Sequence, residues 1–175
     1  MKRVFNVVGV LAVMVLLFGL QGCDEEKVKD VVGLGSLKVT LDGAVYDFTL
    51  VKAVETEKVI AVGGAESVTD TAVFTLMLDV DIVPGTYHLE AAPDGNYVLK
   101  SKDEIEKDFY ALWYKGEENV YFSESGTLTI EEHDKEAKKI NGTFSLKMLN
   151  AEKKEIEAKD GIFNVEYEKF DLPEE

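Results

Sequence analysis

The sequence predicts an all-β fold, a single antiparallel β-sandwich or small β-barrel of about eight to ten strands, preceded by a helical apolar leader. Three observations predict it. Behind residue 35, apolar and polar residues alternate with a period of two in one short run after another. Asx-Gly and Pro-Gly pairs stand between those runs, where tight hairpins need residues that tolerate positive φ. Helix signals behind the leader are few.

Residues 1–22 contain no Asp or Glu, place Lys2 and Arg3 at the start, and run apolar from Val4 to Leu20 with Asn6 as the polar interruption. This is the profile of a signal peptide. The apolar run is at the short edge of what spans a bilayer, about 20 residues, so a retained N-terminal anchor is the competing reading. Residues 23–35 then form an acidic tether, 36–170 a β-domain and 171–175 a C-terminal tail. The length behind the leader suits one domain with a real core.

Within the β-domain each strand follows from alternation. Leu37, Val39 and Leu41 face one way and Lys38, Thr40 and Asp42 the other, and the turn pair Asp42-Gly43 ends the run. Tyr46-Phe48-Leu50 opposes Asp47-Thr49, Phe74-Leu76-Leu78-Val80 opposes Thr75 and Asp79, and Tyr87-Leu89-Ala91 opposes His88-Glu90. Leu128-Ile130, Phe144-Leu146-Met148 and Phe163-Val165-Tyr167 supply the later apolar faces. Turns are expected at Asp94-Gly95, Asn141-Gly142 and Asp160-Gly161, and breaks at Gly63-Gly64 and Pro84-Gly85. Residues 101–108, with Ser101 as cap and an acid three positions later, suit one or two helical turns. Residues 131–139 read as a charged hairpin loop, with a short helix as the alternative.

The charge balance narrows the partners. The chain has 34 acidic and 19 basic residues, and cleavage removing Lys2 and Arg3 would leave 17 basic ones, a net of about −17. Such a field repels nucleic acid and anionic headgroups and keeps an extracytoplasmic domain soluble. Asp79 and Asp81, on one face of an extended strand, are the nearest approach to a cation site. They could share an ion, but two carboxylates alone make a weak site, and no EF-hand loop is present.

No catalytic constellation is visible, so the chain is read as a non-enzyme with no cofactor and no metal. His88 and His133 lack the spacing of a zinc site and read as surface histidines. There is no nucleophile elbow and no phosphate loop. An enzyme with an unrecognised carboxylate pair remains an alternative among so many acids. The stretch Phe109 to Tyr114 carries the hint of binding. Alternation sends Phe109, Ala111 and Trp113 to one face and Tyr110, Leu112 and Tyr114 to the other, as in a central strand buried on both sides. The functional alternative is an aromatic platform of Tyr110, Trp113 and Tyr114 for a glycan or a small apolar ligand.

Cys23 is the chain's single cysteine and cannot form an internal disulfide. It ends the tetrapeptide Leu20-Gln21-Gly22-Cys23, which resembles the lipobox of bacterial lipoproteins; Gln21 departs mildly from the usual small residue. The resemblance implies cleavage before Cys23 and acylation of that residue. The acidic block Asp24, Glu25 and Glu26 resembles the export signal that sends Bacteroidota lipoproteins to the outer face of the outer membrane. In other Gram-negative bacteria an Asp at that position implies retention in the inner membrane.

Ser125-Gly126-Thr127-Leu128-Thr129-Ile130, Ile140-Asn141-Gly142-Thr143-Phe144-Ser145-Leu146 and Asp160-Gly161-Ile162-Phe163-Asn164-Val165-Glu166-Tyr167 are similar to the closing strands of a family of small Bacteroidota lipoproteins of unknown function. That likeness, with a weaker echo at residues 36–50, favours the outer-membrane reading. It implies a β-rich domain at the cell surface; with the lipid anchor, the expected partners are the membrane through that lipid and an envelope protein or a glycan, and no nucleic acid. It carries no activity. Asp70-Thr71-Ala72 resembles a short O-glycosylation motif of the same phylum, and Asn141-Gly142-Thr143 matches the N-linked acceptor pattern but is better explained as a turn.

Overall fold

The structure, a computed structural model, describes residues 35–67, 72–91, 97–101, 106–116 and 120–169. The leader, Cys23, the acidic block Asp24, Glu25 and Glu26, the pairs Asp94-Gly95 and Asp70-Thr71, and the tail at 171–175 lie outside the described residues. The described residues belong to one compact unit, Gly33–Glu175.

The fold is all-β. Among the described residues twelve strands follow one another: β1 (Gly35–Leu41), β2 (Ala44–Phe48), β3 (Leu50–Glu55), β4 (Val59–Ala65), β5 (Ala72–Asp79), β6 (Gly85–Ala91), β7 (Tyr97–Ser101), β8 (Glu106–Lys115), β9 (Val120–Asp134), β10 (Lys139–Leu149), β11 (Glu155–Glu166) and the two-residue β12 (Glu168–Lys169). They form one sheet in the order β12-β3-β4-β5-β8-β7-β6-β9-β10-β11-β1-β2. Every pairing is antiparallel except the short contact of β12 with β3, which is parallel. The first residues of β9 also pair directly with β8, so β6 and β7 are inserted between the remaining lengths of those two strands.

The sheet curls into a half-barrel, and the reason is the corner at Thr49. β2 ends one margin of the sheet while β3 lies beside β12 at the other, yet Thr49 alone separates them. The chain therefore steps from margin to margin, and β3 touches β1 and β11. The Thr49 hydroxyl fastens the corner by donating to the Glu66 carbonyl at 2.7 Å.

Alternation decides what the curl encloses. Leu37, Val39, Leu41, Phe74, Leu76, Leu78, Leu128, Ile130, Phe163 and Val165 are all buried in one continuous core. Aromatic rings fill its centre. Phe74 stacks on Phe144 with centroids 5.4 Å apart, and Trp113 packs edge-on against Tyr46 at 4.9 Å. Asp42 and Gly43 both have positive φ, 48° and 81°, the geometry of a type I′ turn joining β1 to β2.

Several local expectations are corrected. Asn141-Gly142 lies inside β10, and the hairpin turns earlier, at residues 135–138. The cause is Asp134, whose carboxylate accepts the amides of Glu136 and Ala137 and so captures the turn for itself. Asp160-Gly161 is likewise internal, to β11, and forms a bulge. Gly63-Gly64 lies within β4 and breaks nothing. The run from Tyr46 to Leu50 is two strands, divided at Thr49. Ser101 ends β7 and Glu106 opens β8, so Ser101 and residues 106–108 of the expected helix are strand; pairing with Leu99 and Lys100 commits the start of β8 to the sheet.

Candidate functional site

The aromatic strand was the sequence's main binding candidate, and the structure does not bring its three rings together. Trp113 is 4% exposed and faces the core, among Tyr46, Phe48 and Phe74. Tyr110 and Tyr114 are half-buried on the opposite face of β8, where Tyr110 lies 5.5 Å from Phe122. Burial holds the Tyr110 phenol far above its ordinary range of about 10. Leu112 and Met77 share that outer face and are buried too. Thr75 lies among them, 1% exposed, and its hydroxyl finds no hydrogen-bond partner among the described residues.

His133 departs from its reading as a surface histidine. It is half-buried at the end of β9, with Nδ1 2.8 Å from the Ile82 carbonyl and Nε2 2.9 Å from the Tyr167 hydroxyl. The carbonyl only accepts, so Nδ1 carries a proton and donates it to Ile82, while Nε2 and the Tyr167 hydroxyl share the second bond. The Tyr167 amide donates to the Lys138 carbonyl, and the Tyr87 hydroxyl donates to that of Val83 at 2.7 Å. These bonds tie the β5–β6 turn, the end of β9 and the exit of β11 together. They position strands and offer no free nucleophile. His88 is exposed, as expected.

Asp79 and Asp81 do not form a shared carboxylate site on a strand. β5 ends at Asp79, whose carboxylate accepts the Asp81 amide at 2.7 Å, while Asp81 pairs with Lys135 at 2.6 Å. Among the described residues, no three His, Cys, Asp or Glu side chains are grouped to hold a metal.

A groove of about 490 Å³ on the outer face of β9, β10 and β11 was not foreseen. Its floor comes from the polar side of the alternation. Thr129 is registered with Thr143, and Thr127 with Ser145. Its rim comes from the bulge in β11, where pairing with both neighbours shifts register around Lys159 to Gly161. Lys159 and Asp160 are consecutive yet both exposed, because a bulge re-aims one side chain against the alternation. Asp160 takes φ 51°, which Asp tolerates better than most residues. Gly161 then turns inward, where a Cβ would run into the Phe144 ring.

The electrostatics of the rim are lopsided. Lys159 is engaged by Glu157 at 2.6 Å, and that hydrogen bond chiefly raises its pKa. Asp160 forms no hydrogen-bonded ion pair among the described residues, and its charge adds more weakly to the same rise at Lys159. The Thr129 hydroxyl is 3.1 Å from that of Thr86, whereas those of Thr127, Thr143 and Ser145 make no bond among the described residues. Sequence reasoning missed the groove because Asp160-Gly161 looked like a turn. The legible signal was Thr127-x-Thr129 beside Thr143-x-Ser145 on the solvent side.

Residues 35–165 match the family model described as a domain of unknown function (DUF6252), a span reaching from β1 almost to the end of β11. No curated protein and no solved structure matches the chain.

Proposed function

The chain belongs to the DUF6252 family, and from that premise we propose that it is a lipid-anchored lipoprotein of the outer membrane, displayed at the cell surface as a non-enzymatic binding or accessory domain. The observation that carries this reading is Leu20-Gln21-Gly22-Cys23 directly behind a basic and apolar leader. Cys23 is the attachment point. Each buried methylene of an acyl chain contributes about 0.8 kcal/mol, so two or three chains on one cysteine hold the domain stably.

The distribution of side chains in the domain suits that setting. Most large apolar residues are buried, and charged ones such as Lys38, Asp47, Lys135 and Asp81 lie outward in exposed pairs. About a dozen residues separate Cys23 from Gly35, and at roughly 3.4 Å each a fully extended tether reaches at most about 40 Å. The acidic residues Asp24, Glu25 and Glu26 favour extension by repelling one another and the membrane surface. Their likeness to a Bacteroidota export signal supports the outward-facing assignment.

Two measurements on intact cells test the proposal. Cys23→Ala is expected to accumulate as an unprocessed precursor that takes up no labelled palmitate, and external protease is expected to remove the wild-type domain without lysis. A Cys23→Ala protein processed and labelled like wild type contradicts the anchor. Survival of the domain until the outer membrane is opened contradicts the outward orientation.

A further inference from the structure

We propose that the groove on the outer face of β9, β10 and β11 binds a neutral, polyhydroxylated ligand, a glycan chain. The inference rests on the binding-domain reading and names its ligand class. It uses none of the aromatic strand.

The chemistry of the groove selects the ligand. The hydroxyls of Thr127, Thr143 and Ser145 can each donate one hydrogen bond and accept others, and all three are unengaged among the described residues. Paired donor and acceptor roles match sugar hydroxyls, which also play both. The Asp160 carboxylate adds an acceptor with room for two adjacent ligand hydroxyls. Ile162 is 51% exposed beside it and offers an apolar contact to the C–H face of a sugar ring.

Competing ligand classes fit less well. An anion would meet Asp160 and Glu157 on a chain of net charge −15, and both carboxylates already act on the neighbouring Lys159. A wholly apolar ligand would cover the hydroxyl floor and leave those groups dry and unpaired, at a cost of about 1–3 kcal/mol each. Calcium takes roughly six to eight oxygens, often several carboxylates, and the lining of the groove brings one, Asp160.

The bulge is what creates the site. A regular β11 would send Lys159 and Asp160 to opposite faces; the extra residue keeps both outside and brings Asp160 to the rim. Asp160→Asn removes the charge while retaining a residue suited to the left-handed backbone. Thr143→Val removes a hydroxyl at nearly constant shape and keeps a β-branched strand residue.

The test uses full-chain protein in detergent, presented to immobilised neutral tetrasaccharides with glucose, xylose, mannose and galactose backbones. Wild type is expected to bind at least one of them. Asp160→Asn and Thr143→Val are each expected to weaken that binding at least tenfold with an unchanged thermal midpoint, and Tyr114→Ser to leave it unchanged. Absence of binding to every tetrasaccharide overturns the proposal, as does binding that both groove variants retain. A variant with a lowered midpoint is replaced by Ser145→Ala, whose retained binding counts against the site in the same way. The readout needs no membrane, so failure of the lipid anchor and failure of the groove give different results.

Discussion

Trp113 is the single tryptophan of the chain, so its surroundings can be read optically. Buried among Tyr46, Phe48 and Phe74, it is expected to emit at the blue end of the indole range and to resist quenching by acrylamide until the protein unfolds. Trp113→Ala should cost about 3–5 kcal/mol, read from chemical denaturation, because it empties a large site in the aromatic core. Red emission with ready quenching would place the indole at the surface instead. Tyr110 and Tyr167 make a second residue-scale prediction. Burial raises both phenol pKa values, and the Glu55 and Asp134 carboxylates add to the shift at Tyr167. A raised value in the folded state means that folding favours the protonated phenol. The contribution is therefore fully present below about pH 10 and is lost as pH rises from there through the folded values. Thermal midpoints should fall above pH 10, and less steeply in a Tyr110→Phe, Tyr167→Phe double variant. Equal slopes would contradict this account; Lys139, Lys147 and Lys159, which shift in the same direction, are present in both proteins.

At the scale of elements, the bulge in β11 is the feature with most consequence. Gly161 abuts the Phe144 ring, so Gly161→Ala must displace that ring and is expected to destabilise by about 1–3 kcal/mol in a denaturant titration. A neutral result would show that β11 relaxes without the close approach. This element also marks where the sequence stopped being legible. Period-two alternation identified the inward faces at Leu37-Val39-Leu41, Phe144-Leu146-Met148 and Phe163-Val165-Tyr167, because burial on one side is a local, repeating signal. Asp-Gly at 42–43 and Asp-Gly at 160–161 look the same locally. Only the neighbouring strands distinguish the turn from the bulge, since β1 and β10 both continue alongside β11 past Asp160. The hydroxyl floor was present in the sequence as Thr-x-Thr and Thr-x-Ser, but which polar faces adjoin depends on pairing that alternation does not encode. His133 was missed for a related reason, because its partners Ile82 and Tyr167 are brought in by topology.

For the whole molecule, the half-barrel separates two tasks. Its interior supplies stability through a continuous apolar core, and its outer face supplies a polar groove at the bulge. The proposed lipid at Cys23 would set where that face is displayed, with the acidic tether as spacer. Location and recognition would then be carried by different parts of the chain, and each can be removed without the other. The central claim concerns the anchor, and the mass of the N-terminal peptide of protein extracted from the membrane fraction tests it most directly. The account predicts a peptide beginning at Cys23 and heavier than its sequence by two or three acyl groups. A peptide that still carries residues 1–22, or a Cys23 terminus without acyl mass, would contradict it.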